Sequence, residues 1–314
     1  MNYYNDVEFD KNRPDLKKRR IIKTVFVMSI ISLFLLLLFR PSTKIVSPIP
    51  QKELFSFNLP ALTKKKNPDD LKKIIRETIN NSIPQYSVIV KDLQNDFTVS
   101  INENLIFTGA SVNKLPILGA LYYLVQKGDI DLDTQVTIQP DDIQDYGTGS
   151  IRYDPIGTVY SIKTLARLMI QESDNTAAHI LGRYTVGMDK IQVFMDSWGM
   201  IQTDMENNKT SNADMARLME KLYQEKVANK ALTLEMLSYL KDGKIEDRIP
   251  ALLPKGTVVY HKTGNAVGFL HDVGIVVGPK TTYYIGLFTG DVADEPKTLQ
   301  LLATISQKVY EFMK

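Results

Sequence analysis

The order of strand-like and helix-like segments restricts the fold of this chain more than any other feature of its sequence. Residues 86–93 and 97–102 alternate or run apolar around the turn Gln94-Asn95-Asp96, as a hairpin does. Residues 257–262, 269–277 and 281–289 are rich in β-branched and aromatic side chains, and Gly278-Pro279-Lys280 turns between the last two. Between these blocks apolar residues recur at helical spacing over 176–184, 188–198, 211–224 and 231–240. Ser161 is placed to cap a further helix that carries Ile162, Leu165, Met169 and Ile170 on one face. A helix opened by Pro68-Asp69-Asp70 precedes the first strands, and another over 296–312 follows the last. Strands at both ends with helices between them exclude a repeating βαβ unit. They predict an α/β (α+β) fold: one antiparallel sheet from both chain ends, flanked by terminal helices, with an inserted all-helical subdomain.

Ahead of residue 68 the chain changes character. Residues 1–20 are polar and end in Lys17-Lys18-Arg19-Arg20. Residues 21–39 are then apolar except for Lys23, Thr24, Ser29 and Ser32, about the length that crosses a bilayer core. Positive charge in front of this stretch predicts a transmembrane anchor with a cytoplasmic tail (1–20) and the rest of the chain outside the cell membrane. A cleaved signal peptide fits less well. The leading region is long, and Arg40-Pro41-Ser42-Thr43 stands where a small-x-small cleavage site belongs. Residues 40–67, with Pro41, Pro48, Pro50, Pro60 and the Lys64-Lys65-Lys66 run, read as an extracytoplasmic linker reaching on the order of 30 Å if flexible. The folded domain is then 68–314.

Composition narrows the chemistry. A net charge of +2 gives no broad basic surface, so no nucleic-acid partner is expected. The absence of cysteine rules out disulfides, thiol catalysis and cysteine-bound metals. His179, His261 and His271 are too scattered for a metal centre and read as locally satisfied side chains. No metal and no organic cofactor is implied.

The chemistry concentrates at Gly109-Ala110-Ser111-Val112-Asn113-Lys114. The apolar residues that follow recur at helical spacing, which puts Ser111 at a helix start and Lys114 one turn later on the same face. A serine hydroxyl needs a neighbour to accept its proton or to stabilise the oxyanion it generates. An amine at i+3 can do the first, and the unpaired N–H groups of a helix start the second. Ser-x-x-Lys alone is weak, since about one match arises by chance in a chain of this length. A second match, Ser238-Tyr239-Leu240-Lys241, closes a helical pattern before Asp242-Gly243, so Ser238 sits at the wrong helix pole.

Two more motifs follow in order, Ser173-Asp174-Asn175 between helices and Lys262-Thr263-Gly264 at a strand end. Singly, these would be a helix cap and a turn glycine. As an ordered set over about residues 68 to 314 they resemble the penicillin-recognising serine hydrolases, nearest the class A β-lactamase branch. The resemblance implies a β-lactamase/transpeptidase-like fold and a set of roles. Ser111 would be the acylated nucleophile and Lys114 its proton acceptor. Ser173 would protonate the leaving nitrogen, and Asn175 would bind the amide side chain of the substrate. Lys262 and Thr263 would hold the substrate carboxylate, and Gly264 would permit close approach. The N–H groups of Ser111 and Asn265 would form the oxyanion hole, where one lost donor costs about 3 kcal/mol of barrier.

The sequence departs from this branch at one place. The glutamate that releases the acyl group in β-lactamases lies in a Glu-x-x-Leu-Asn stretch between the second and third motifs. Here that interval is short, and its candidate, Glu206 in Met205-Glu206-Asn207-Asn208-Lys209, lacks the Leu-Asn. The expected function is a membrane-anchored β-lactamase-type serine hydrolase acting on small-molecule β-lactams. The alternatives are a D-Ala-D-Ala carboxypeptidase acting on the peptidoglycan stem peptide, favoured by the short interval, and a non-catalytic wall-binding scaffold. The scaffold has no need of both Ser111 and Lys114.

Overall fold

The computed structural model describes residues 66–241 and 243–314. The expected cytoplasmic tail (1–20), transmembrane anchor (21–39) and linker up to residue 65 lie outside the described residues. Among the described residues no helix is long and apolar enough to cross a membrane.

Helix α1 (Pro68–Ile79) starts where its sequence predicts: Asn67 caps it by accepting the Asp69 N–H, and proline occupies the first turn. The hairpin follows as β1 (Gln85–Asp92) and β2 (Thr98–Ile101). At the other chain end, β7 (Val258–Ala266), β8 (Phe269–Val277) and β9 (Thr282–Gly290) lead into α8 (Glu295–Met313), capped by Asp294. The strands form one antiparallel sheet in the order β2-β1-β9-β8-β7, so the first and last strands of the domain meet at its centre.

Each sheet face has its own core. Val88 and Val90 of β1 and Tyr283, Ile285 and Leu287 of β9 pack with Leu71, Ile75 and Ile79 of α1 and Leu302, Ile305 and Val309 of α8. The alternate residues Ile89, Tyr284 and Phe288 join the core of the inserted subdomain. This two-sided burial explains why β9 reads as a continuous apolar run. The insert contains α2 (Lys114–Lys127), α3 (Ile162–Gln171), α4 (Asn175–His179), α5 (Met188–Ser197), α6 (Asn212–Tyr223) and α7 (Lys230–Lys241). Ser161 caps α3 as expected, accepting the Thr164 N–H.

Three details differ from the sequence expectation. The insert is not purely helical: β3 (Ile106–Thr108) pairs with β6 (Lys209–Ser211), and β4 (Gln135–Thr137) with β5 (Val159–Ser161). Ser111 lies in a 3₁₀ turn, Ala110–Asn113, ahead of α2. Strand β7 runs through Lys262-Thr263-Gly264 to Ala266, which pairs with Phe269 across the tight Val267-Gly268 turn. The polar Lys-Thr-Gly-Asn run has low strand propensity, but the ladder with β8 holds it extended.

One buried polar group ties the insert to the sheet. The Asn212 side chain, fully buried at the start of α6, donates to the Gly286 carbonyl (3.0 Å) and Ser87 Oγ (3.1 Å) and accepts from the Tyr284 hydroxyl (2.8 Å). Replacing it with alanine orphans these groups at once. Since one unsatisfied buried group costs about 1–3 kcal/mol, Asn212→Ala is expected to destabilise the domain by about 3 kcal/mol. The check is the urea unfolding midpoint at unchanged slope; a loss under about 1 kcal/mol would mean that Asn212 is not a tie between the layers.

Candidate active site

The 3₁₀ turn that carries Ser111 packs directly against the edge of β7. A Cβ at Gly264 would lie 3.1 Å from both the Gly109 carbonyl oxygen and Val112 Cγ1, tighter than side-chain contacts normally allow. The close approach that Gly264 permits is therefore to the chain's own serine turn. Ala110, just before the serine, has φ 49°, a left-handed conformation costly for a residue with a side chain. Such strain persists only where the surroundings impose it.

Lys114, the first residue of α2, is 6 % exposed. Its Nζ lies 3.2 Å from Ser111 Oγ, 3.1 Å from Ser173 Oγ and 2.7 Å from Asn175 Oδ1, and it also donates to the Ser173 carbonyl. Burial depresses the amine well below the usual lysine range, and the nearby charge of Lys262 adds to this, with Asp174 opposing. The amine is thus prepared to act as a base.

Ser173, 5 % exposed, occupies the junction between α3 and α4 with φ 55°. Asp174 caps α4 by accepting the Ala177 N–H (2.8 Å) and also accepts the Ile151 N–H (3.0 Å). The loop 146–150 closes over this junction. Thr148 Oγ1 donates to the Ser173 carbonyl (2.9 Å), the Asn175 N–H donates to the Thr148 carbonyl (3.1 Å), and Asn175 Nδ2 donates to the Tyr146 carbonyl (2.9 Å). Gly149 has φ 122°, and a Cβ there would fall 2.2 Å from Asp174 Oδ2, so the loop requires glycine.

Lys262 on β7 is 4 % exposed and donates to the Thr263 carbonyl (3.1 Å). Burial lowers its pKa to about 8, with the Asp272 carboxylate opposing and the Arg248 guanidinium contributing. Arg248, fully buried, donates to the His271 carbonyl (2.9 Å). Sequence reading missed this second buried cation because a lone arginine in a turn carries no pattern.

Ser111, Lys114, Ser173 and Asn175 line one open cavity of about 600 Å³, which Thr263 and Asn265 close from the strand side. Lys262 stands behind it in a small adjoining space shared with Ser173 and Thr263. Tyr146, Thr148, His179 and Arg183 also line the cavity. The turn residues of Tyr146-Gly147-Thr148-Gly149-Ser150 mark a loop in the sequence but not its use, and His179 had read as a purely local side chain. Among the described residues no aspartate or glutamate lines the cavity. Glu206 is not brought in with the others: its side chain is 65 % exposed, 3.3 Å from Arg183, and borders a neighbouring hollow with Asp189 and Asp204. Ser238 is also elsewhere, its Oγ donating to the Glu235 carbonyl within its own helix (2.7 Å). Among the described residues no group of three or more His, Asp or Glu side chains is placed to hold a metal ion.

The chain is similar to several known proteins over this whole domain. Beta-lactamase VEB-1 of Pseudomonas aeruginosa is 25 % identical over 258 residues, spanning 74 % of this chain and 85 % of that protein. A beta-lactamase of Bacteroides uniformis is 26 % identical over 240 residues, spanning 68 % and 81 %. Among solved structures, PBP-A superposes with a TM-score of 0.72 at 26 % identity, covering 78 % of this chain and 96 % of PBP-A. A mutant of PBP-A, solved as an acyl-enzyme complex with penicillin-G, gives 0.73 at 25 % identity and the same coverage. The extended-spectrum beta-lactamase TLA-3 shares the fold with a TM-score of 0.73 at 22 % identity, covering 79 % and 99 %. A model of the beta-lactamase enzyme family matches residues 70–313. With that match spanning the sheet, the insert and all three motifs, the chain belongs to the beta-lactamase enzyme family, as a serine hydrolase of the β-lactamase type.

Proposed function

We propose that the protein opens β-lactams through an acyl-enzyme on Ser111, with its catalytic domain held on the extracytoplasmic side of the cell membrane by the apolar stretch 21–39. The observation that carries the catalytic reading is the buried Lys114 amine within reach of both Ser111 and Ser173. A neutral amine has two N–H donors and one lone pair. Asn175 Oδ1 and the Ser173 carbonyl take the donors, which leaves the lone pair for the Ser111 hydroxyl. Ser111 Oγ then attacks the lactam carbonyl carbon while its proton passes to Lys114 Nζ. The carbon–nitrogen bond breaks, the Ser173 hydroxyl protonates the leaving nitrogen, and Lys114 returns a proton to Ser173 Oγ. Lys262 and Thr263 take the substrate carboxylate, Asn175 its amide side chain, and the Ser111 and Asn265 N–H groups the oxyanion.

Hydrolysis also requires release of the acyl group by water. General-base assistance is worth roughly 10² to 10⁴ in rate. The cavity offers no carboxylate for it among the described residues, so a median turnover of ~10 s⁻¹ falls to ~0.1 s⁻¹ or below. This favours a second reading, a D-Ala-D-Ala peptidase that works on peptidoglycan stem peptides and is trapped by penicillin. The similar PBP-A, a mutant of which was solved as an acyl-enzyme complex with penicillin-G, supports acylation by a penicillin.

Intact-mass spectrometry of the full chain with benzylpenicillin is expected to show one adduct, absent from Ser111→Ala, that outlasts roughly 10 s. Faster clearance with accumulating hydrolysed drug would sink the slow-release reading, and no adduct at any time would sink the β-lactam reading. Lys114→Ala is expected to slow acylation by about 10² or more, measured by stopped-flow with the same drug. The pH dependence of kcat/KM for acylation follows from the two lysines. It should rise as Lys114 loses its proton and fall above about pH 8, where free Lys262 loses the charge that holds the substrate carboxylate. In Lys262→Gln the alkaline limb should disappear; if it remains, another group sets it.

A further inference from the structure

The insert gives the cavity a charge that the chemistry at Ser111 does not use. Arg183 lies midway along a π-helical segment, Ile180–Val186, which continues directly from α4. Such widened turns are uncommon and often occur at functional sites. Arg183 lines the cavity beside His179 and Met188, on the helical wall, whereas Thr263, Asn265 and Ala266 make the strand wall. The planar fork of its guanidinium matches a carboxylate in bidentate fashion.

The partner that Arg183 now has is easily displaced. Glu206 Oε1 is 3.3 Å from Nη2, and the two side chains are 65 % and 50 % exposed. Pairs this exposed are weak, so an incoming carboxylate can take the place of Glu206 at little cost. Glu206 borders the neighbouring hollow, whereas Arg183 lines the cavity itself. The strand wall already provides for the carboxylate next to the scissile amide. A cation on the opposite wall therefore calls for a second carboxylate, on the acyl side of that bond.

We propose that Arg183 is a specificity-determining residue that selects acyl donors bearing a carboxylate on their acyl arm. Penicillins with an acidic side chain and D-Ala-D-Ala peptides with an acidic acyl residue both present that chemistry, and the preference rests on Ser111 being the acylated nucleophile. It is tested with matched probes on the full chain: a penicillin with an α-carboxylate on its side chain against benzylpenicillin, and an acyl-D-Ala-D-Ala peptide with an acidic against a neutral side chain. The readout is the ratio of acylation kcat/KM within each pair. The wild-type ratio is expected to favour the acidic member about 5-fold or more in at least one pair, and to decline as salt is raised. Arg183→Gln should bring that ratio to about 1, Arg183→Lys should keep part of it, and Glu206→Gln should increase it. The pair that responds identifies the source of the carboxylate. Equal ratios in wild type and Arg183→Gln overturn the assignment of Arg183 alone. Failure of every probe to acylate the wild type overturns the Ser111 reading and this inference with it. Should Arg183→Gln misfold, an unchanged ratio in both Arg183→Lys and Glu206→Gln overturns the assignment equally.

Discussion

The site depends on keeping one amine dry. Lys114 is held almost out of water by α2 behind it, the α3–α4 junction across from it and the serine turn beside it. A charged lysine in that position would be costly, and the surroundings resolve the cost by favouring the neutral form. The same burial that disfavours the proton makes the lone pair available, so packing and reactivity have one cause. Every element that fixes the amine is also an element that carries a motif residue. The helical insert and the sheet must therefore meet closely before any chemistry is possible, and the bare edge of Gly264 against the serine turn is what allows them to.

Around that amine the sheet arranges charge with unusual economy. Asp272 on β8 sits 2.8 Å from His261 Nδ1 and accepts the Ile249 N–H at 3.0 Å, next to Arg248. Burial alone would lower the His261 pKa, but the Asp272 carboxylate, with Glu246 on the other ring nitrogen, raises it to about 9. His271, one residue from Asp272, goes the other way: burial pushes it down to about 4, and its neutral ring bridges the Thr108 carbonyl and the Thr289 N–H. Two histidines on adjacent strands are thus fixed in opposite charge states. The buried Asp272 carboxylate thus faces both His261 and Lys262, while Arg248 is paired with Asp247.

Much of this was readable in the sequence, and the limits have physical reasons. Strand and helix positions follow from apolar spacing, the Ser161 cap from a side chain that accepts a backbone N–H group, and the three motifs from their order. Strand β7 ran past its expected end because a ladder, not intrinsic propensity, extends Lys262 to Ala266. Ser111 left the α-helix proper because its turn is shaped by contact with Gly264, which lies far away along the chain. Glu206 matched by residue type, but the hairpin formed by Asp204 and Lys209 turns it outward toward Arg183. The use of the loop at Tyr146 and of the cations Arg183 and Arg248 had no local signature, since their importance comes from what long-range folding sets beside them.

The union of β1 with β9 has a consequence for how the protein is made. The central ladder runs from Gln85 paired with Gly290 to Asp92 paired with Tyr283, joining segments from nearly opposite ends of the domain. Such pairings are slow to form because a long loop must close before any contact rewards it. A chain emerging from its N-terminus carries β1 and β2 as a lone hairpin, and then the whole insert, before β9 exists. Two isolated strands are at best marginally stable. The sheet, and with it the fixed distance between Ser111 and Lys262, is completed only when the last strands arrive. Truncation ahead of β9 would therefore remove the middle of the sheet rather than trim its edge, and activity should be acquired only once β9 has been made.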